Sequence, residues 1–411
     1  MANVTGFFGH CLLLFAFLLS YSPASAETTT WRGELLLNDS TILPFNFEIV
    51  RENGKTTVII RNAEERIVCD EVRDTKDSLN WRMPVFDSEF FCKKKNDSII
   101  SGWWSNHSRK TTQNIRFRAN KNQPWRFKKN VGITVDYSGR WQTTFSPGSE
   151  KDLTMAVGEF KQSGGKVTGT FLTETGDYRF LEGDVSADSL WLSCFDGSHA
   201  FLFKAKYDMR HGFLTGGFWS GSHWQEPWQA FRNDTAHLRD PEKLTFAVDT
   251  TQGIYFSFLN TEKRPVSPVD ERYKGKVLIL QVMGSWCPNC MDETAMLADL
   301  YKRYNNKGLE IIGLAYERTT DFDRSAASVN RLKKHFGVEY EILVTGKTGK
   351  DEAGQSLPFL NGIMAFPTTI WIDKRGRIRK IYTGYIGPGT GASHQKFLDE
   401  TTRFMEMLLA E

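Results

Sequence analysis

Gly284-Ser285-Trp286-Cys287-Pro288-Asn289-Cys290-Met291-Asp292-Glu293 follows directly on the apolar run Val277-Leu278-Ile279-Leu280-Gln281-Val282-Met283. The run reads as a strand buried on both faces, as parallel strands are. The two cysteines therefore sit at its carboxyl end, where open α/β sheets place their sites. From Pro288 onward Met291, Ala295, Leu297, Ala298, Leu300 and Tyr301 recur at spacings of three and four up to Gly308, which predicts a helix. Pro288 belongs in its first turn, where a missing N–H does no harm. Cys287 then lies at the positive end of the helix, which favours thiolate over thiol and marks it as the attacking sulfur. Cys290, one turn on, is the resolving sulfur. A structural disulfide or half a zinc site uses the same residues, but no second cysteine pair lies near enough to complete four ligands.

Working outward, residues 254–258, 309–315, 340–344, 368–372 and 378–382 read as further strands. Helices are expected near 323–336 and 394–409, with a turn at 373–376. That alternation predicts an α/β unit. Gly346-Lys347-Thr348-Gly349-Lys350 suggests a phosphate loop, but the four-residue spacer is missing and Asp351 stands where Ser or Thr belongs. It reads as a polar loop. Glu293, one turn beyond Cys290, is placed to exchange the proton that Cys290 must lose or gain. The other reading is a first-turn acid that stabilises the helix dipole.

Trp286-Cys287-Pro288-Asn289-Cys290 after a strand, Gly275-Lys276 just before that strand, and Phe366-Pro367-Thr368-Thr369 about eighty residues on resemble a thioredoxin-fold domain. More narrowly, they resemble the exported TlpA/ResA-like thiol-disulfide oxidoreductases, and the resemblance covers residues 245–411. It implies Cys287 as nucleophile, Cys290 as resolving cysteine and Pro367 as a cis-proline facing the dithiol. Glu293 takes the position of that family's active-site glutamate, although the proline usual two residues later is Ala295 here. Trp286, Phe366 and Pro367 then form the substrate side, with strand-like contact to an extended substrate. The implied activity is reduction of protein disulfides without a cofactor. The implied partners are disulfide-bearing envelope proteins and a membrane thiol-disulfide electron donor that re-reduces the chain outside the cytoplasm.

From Trp31 to about Arg232 the pattern changes to short alternating runs such as Lys55-Thr56-Thr57-Val58-Ile59-Ile60, separated by turn signals such as Asn53-Gly54 and Gly164-Gly165. These predict antiparallel hairpins. The half also repeats itself. Asp77-Ser78-Leu79 matches Asp188-Ser189-Leu190, Phe90-Phe91-Cys92-Lys93 matches Phe201-Leu202-Phe203-Lys204, and Gly102-Trp103-Trp104-Ser105 matches Gly217-Phe218-Trp219-Ser220. Phe117-Arg118 matches Phe231-Arg232, and the offset stays at about 111 to 115 residues throughout. A constant offset with one order of signals indicates two copies of one β unit. Trp103, Trp104, Trp125, Trp219, Trp224 and Trp228 lie in this half as core residues or, alternatively, as an aromatic platform for a sugar or peptide. His107, His199, His211 and His223 fall in or beside turns with no ligand spacing, so no metal is expected.

The first 26 residues carry no Lys, Arg, Asp or Glu, and an apolar core at residues 11–19 leads to Ala24-Ser25-Ala26, a small-x-small cleavage pattern. This reads as a secretory signal peptide, with a retained membrane anchor as the alternative. Export places Cys69, Cys92, Cys194, Cys287 and Cys290 where disulfides can form. Beside the working pair, Cys69 and Cys92 can form a structural disulfide, or all three remaining thiols are small buried hydrophobes. A formal charge of +3, with acids and bases mixed along the chain, gives no support to nucleic-acid binding.

The expected organisation is a signal peptide (1–26), two all-β antiparallel repeats of sandwich or barrel type (27–130 and 131–240), and a thioredoxin-like α/β domain (241–411). The expected function is that of an exported thiol-disulfide oxidoreductase. Two alternatives stay open: a thiol peroxidase on the same fold, although Gly284 stands where its threonine belongs, and a β-module envelope-binding protein with a secondary dithiol.

Overall fold

Alternating apolar and polar residues in the amino-terminal half produce two nine-stranded antiparallel meanders. The structure, a computed structural model, describes residues 26–108, 111–127, 132–249 and 253–411; the expected signal peptide lies outside the described residues except for Ala26. In the first meander Glu27–Leu36 pairs with both Ile42–Glu52 and Gln113–Lys121, so the sheet curls round on itself. Among the described residues its seam lies between the edge strands Glu65–Cys69 and Val72–Asp74. The second meander closes fully. Gly139–Phe145 pairs with Trp224–Arg232, and Thr154–Ser163 pairs with Lys166–Thr173, which in turn pairs with Leu181–Ser186. The two-residue strand Gly176–Asp177 is appended beside that closure.

Aromatic side chains fill both barrels. Phe45, Phe47, Trp81, Phe90 and Phe117 occupy the first, and Phe145, Phe171, Phe203, Phe218 and Trp228 the second. Phe195, from the second barrel, enters the core of the first, with its ring 4.6 Å from Phe45, 5.2 Å from Trp104 and 5.5 Å from Phe90. The Asn62 side chain brackets its backbone, donating to Phe195 O (2.9 Å) and accepting from Phe195 N (3.2 Å). The fully buried Arg126 adds a second tie, donating to Ser193 O (2.9 Å) and Arg61 O (2.5 Å). Because Phe195 plugs a neighbouring core, Phe195→Ala is expected to cost about 3–5 kcal/mol. Urea unfolding followed by tryptophan fluorescence checks this; a loss below about 1 kcal/mol contradicts the plug.

The repeat pairs noted in the sequence fall on corresponding strands of the two barrels, with two corrections: Phe117 is buried while its match, Phe231, is exposed, and the tryptophan match slips by one. Phe91 is the cross-strand partner of Trp103, whereas Leu202 is the partner of Trp219. The match of Trp103 with Phe218 is therefore out by one residue, and a slip of one residue in a strand exchanges inside for outside. Trp103 is exposed while Phe218 is buried. The tryptophans divide accordingly: Trp104 and Trp228 are core, Trp125 and Trp219 are half-buried, and Trp103 and Trp224 are exposed.

Beyond the barrels, a seven-stranded sheet has the order Pro265–Val266, Phe258–Asn260, Glu341–Val344, Leu309–Ala315, Val277–Met283, Thr368–Ile372, Ile378–Thr383. The three middle strands Val277–Met283, Leu309–Ala315 and Glu341–Val344 run parallel, and every residue of Val277–Met283 is buried. Helices α1 (Pro288–Tyr304), α2 (Phe322–Phe336), α3 (Gly349–Ser356) and α4 (Ala392–Ala410) complete this α/β unit. Two expectations need correcting here. Residues 254–257 are not a strand; Ile254 and Phe256 bury alternate side chains without sheet pairing, and the strand begins at Phe258. Gly349 and Lys350 open α3 instead of belonging to a loop, and Glu352 accepts from Thr348 N (2.5 Å) at its start.

Cys69 and Cys92 are free thiols in this structure, the second of the two readings left open for them, and no bridge joins them. Each fills a core position of the first barrel, and the Cys69 thiol lies 3.8 Å from the Met83 sulfur. Cys194 is likewise a buried free thiol, in the second barrel. Burial raises all three above the ordinary thiol range, as expected of inert core cysteines.

Candidate active site

The strand Val277–Met283 delivers its chain to the tight turn Gly284-Ser285-Trp286, and Cys287 caps α1. Its sulfur accepts a hydrogen bond from Cys290 N at 3.3 Å, taking up one of the unpaired N–H groups that every helix start presents. Both sulfurs are free thiols; Cys287 is 8% exposed and Cys290 is fully buried. Burial, the Cys287 side chain and the Cys287 charge push the Cys290 thiol up. Cys290 therefore keeps its proton until a base removes it.

Pro367 meets the dithiol from the sheet. The Phe366–Pro367 peptide is cis, and Phe366 O accepts from the Cys287 thiol at 3.5 Å. Phe366 packs edge-on against Trp286, with ring centres 5.8 Å apart. The Trp286 indole donates to Tyr316 O (3.1 Å), and the Arg318 guanidinium stands 4.1 Å above its ring. Cys287, Trp286, Phe366 and Pro367, expected together from sequence, are thus brought to one place.

Glu293 lies behind the sulfurs, buried in the core. The Gln281 amide donates to its carboxylate at 2.9 Å and also reaches Cys290 O at 3.4 Å, and the Thr369 hydroxyl donates to its other oxygen. Burial raises Glu293 to about 7, against the opposing pull of Thr369 and Gln281. An acid with that value exchanges protons near neutrality, and one amide links it to Cys290. A cavity of about 240 Å³ opens beside it, lined among others by Met296, Thr369, Trp371, Tyr382 and Phe397.

Several residues of the site had no place in the sequence reading. Glu317 is buried and accepts from Ser285 N (2.8 Å) and Ser285 Oγ (2.7 Å), which fixes the turn before Trp286. Its signal was its position, two residues past the strand Leu309–Ala315 and so at the same end of the sheet as the cysteines. Gln281 was the one polar residue in an otherwise apolar strand. Contacts from the β half left no such trace. Ser198 Oγ donates to Trp286 O (2.9 Å), Asn289 Nδ2 donates to Asp177 O (3.2 Å), and Arg179 donates to Pro288 O (3.2 Å). Val85 joins the core of the α/β unit, and with Asp87 it faces Ser285, Trp286, Glu317 and Arg318 across a groove of about 140 Å³.

Residues 249–395 match the Redoxin family. This part of the chain is a redoxin domain. The chain is 30% identical over 112 residues to the thiol-disulfide oxidoreductase ResA of Geobacillus thermodenitrificans, covering 27% of this chain and 57% of that protein. It is 29% identical over 129 residues to ResA of Bacillus thuringiensis, covering 31% of this chain and 65% of the relative. The chain thus spans less than two thirds of the length of either relative. Among solved structures, a thiol:disulfide interchange protein of the thioredoxin family from Chlorobium tepidum TLS superposes on 40% of this chain and 99% of its own, at 20% identity and a TM-score of 0.30. That likeness is too partial to carry an argument. The redoxin match lies within the α/β unit.

Proposed function

We propose that the chain is a thiol-disulfide oxidoreductase that reduces disulfides through Cys287 and Cys290. The observation that carries this reading is the Cys287 sulfur held at the start of α1 by Cys290 N, beside the Phe366 carbonyl, with a buried carboxyl near neutrality linked to Cys290 through Gln281. Relatives of the redoxin domain bear the name thiol-disulfide oxidoreductase, which supports the same class.

The chemistry balances as two exchanges. The Cys287 thiolate attacks one sulfur of a substrate disulfide; a Cys287–substrate disulfide forms and the other substrate sulfur leaves as a thiolate, which takes a proton. Glu293, as carboxylate, accepts the Cys290 proton. The Cys290 thiolate then attacks Cys287 Sγ, the Cys287–Cys290 disulfide forms, and the second substrate sulfur leaves. Two electrons pass from protein to substrate. Trp286, Phe366 and Pro367 form the rim a substrate meets. The reading extends to export by the signal peptide 1–26, to disulfide-bearing envelope proteins as substrates, and to a membrane dithiol donor that returns the two electrons.

Incubating the reduced full chain with insulin or glutathione disulfide tests the activity. The expected result is one internal Cys287–Cys290 disulfide formed for each substrate disulfide reduced, read by mass spectrometry of alkylated peptides. Retention of both thiols while other cysteines oxidise contradicts it.

A further inference from the structure

We infer that the β half contributes a positioning residue to the dithiol: Arg179, fixed in the second barrel, holds the first turn of α1 and sets how readily the Cys287–Cys290 disulfide is reduced. The inference rests on the reading above and assigns part of the site to the barrels.

Arg179 sits in the turn after the strand Gly176–Asp177, in the left-handed conformation (φ 58°). A residue with a side chain persists there only when its surroundings over-determine it. Here the Asp177 carboxylate accepts from Arg179 N (2.7 Å) with one oxygen and from Gly387 N (2.7 Å) of the redoxin domain with the other. The Asp177 carbonyl accepts from Asn289 Nδ2, between the two cysteines. Gly176 lies so close that a Cβ there would stand 2.0 Å from Asn289 Nδ2. The turn is therefore moulded to the Cys287–Cys290 segment.

The guanidinium continues this contact. Its Nη1 donates to Pro288 O (3.2 Å) and pairs with Asp292, Nη2 pairs with Glu65 of the first barrel, and Nε lies 3.6 Å from Asp196. The Arg179 side chain is only 9% exposed, so these charges act with little screening by water. One guanidinium thus joins both barrels to the first turn of α1. It adds a positive charge at the helix end where the attacking thiolate forms, and Asp292, Glu65 and Asp196 oppose that charge.

The reduced state can present a thiolate here and the disulfide state cannot, so charge at this helix end weights one state against the other. Arg179 favours the reduced state; Asp292 opposes it. The reaction to measure is reduced protein plus glutathione disulfide giving the Cys287–Cys290 disulfide plus two glutathione. Arg179→Met is expected to raise its equilibrium constant about tenfold, equivalent to about 30 mV for a two-electron couple. Asp292→Asn is expected to lower it about tenfold, Arg179→Lys to recover part of the Met effect, and the double variant R179M/D292N to lie near the unsubstituted chain. Circular dichroism checks that each full-length variant is folded. If R179M does not fold, the fall with D292N still decides the sign.

A constant unchanged within about twofold in both variants, or shifts of both in the same direction, overturns the inference, because loosened packing alone has no reason to produce opposite signs. Failure of the unsubstituted chain to form the internal disulfide is a different result, and it overturns the dithiol reading itself.

Discussion

Cys287→Ser is expected to abolish disulfide reduction, a loss on the order of 10⁴-fold or more as for other nucleophile removals. The expectation follows from the thiols among the described residues. Cys69, Cys92 and Cys194 are buried in the barrels with their protons held by burial, and none is positioned to replace Cys287. Cys290 has no exposed surface, so it meets a sulfur only after Cys287 has brought one to it. Cys290→Ser therefore differs in kind: the first exchange proceeds, the second cannot, and the substrate stays attached to Cys287. Stopped-flow fluorescence with a dye-labelled disulfide separates the two, with no fast phase in Cys287→Ser and one fast phase without turnover in Cys290→Ser. Turnover by Cys287→Ser at more than a few per cent of the unsubstituted rate contradicts the assignment.

Glu293→Gln is expected to slow the second exchange by on the order of 10²-fold, the lower range for a positioned acid or base. Because burial raises Glu293 to about 7, the rate of that step in the unsubstituted chain should climb through about pH 7 as the carboxylate forms. The variant should lack this limb. Stability gives an independent check with a defined sign. An acid whose folded value is raised contributes stability that is complete below its unfolded value, near 4.5, and is lost as pH rises to about 7. For one buried group the loss is about 3 kcal/mol, and Glu293→Gln should remove that share of the slope, leaving the share of Asp292, which burial also raises to about 7. Single-turnover kinetics against pH and urea unfolding at pH 5 and pH 8 measure the two effects. A pH limb that survives the substitution assigns Glu293 to the helix dipole.

The dithiol and its α/β frame were legible because local rules agree there. A strand apolar but for Gln281, a proline in the first helical turn and an apolar repeat of three and four all point to one strand-to-helix junction. Pro367 and Glu293 were legible through the resemblance, and the structure puts Pro367 beside Cys287 and Glu293 behind the pair. Where local rules conflicted, the reading slipped. Residues 254–257 alternate like a strand, yet no neighbour pairs with them. Trp103-Trp104 offers two similar side chains for one inward position, which produced the one-residue error against Phe218.

The barrel contacts were beyond the reach of a sequence reading for a different reason. Arg179 and Asp292 lie 113 positions apart, and Ser198 and Trp286 lie 88 apart. Arg179 follows a two-residue strand that no periodicity marks, and its charge has nothing to distinguish it among 52 lysines and arginines. The docking of one folded unit on another brings it Glu65 and Asp292. Of the two readings open for Cys69 and Cys92, the structure has the small buried hydrophobes, and sequence could not choose because an apolar core takes a free cysteine as readily as an oxidised one.

Trapping with Cys290→Ser tests the central claim most directly. The reduced variant is mixed with a disulfide-bearing substrate, quenched in acid and digested, and the adduct is mapped by mass spectrometry under non-reducing conditions. The expected result is a stoichiometric adduct on Cys287, released by dithiothreitol and absent when Cys287 is also replaced. An adduct on Cys69, Cys92 or Cys194, or no adduct while the unsubstituted chain reduces the same substrate, contradicts it.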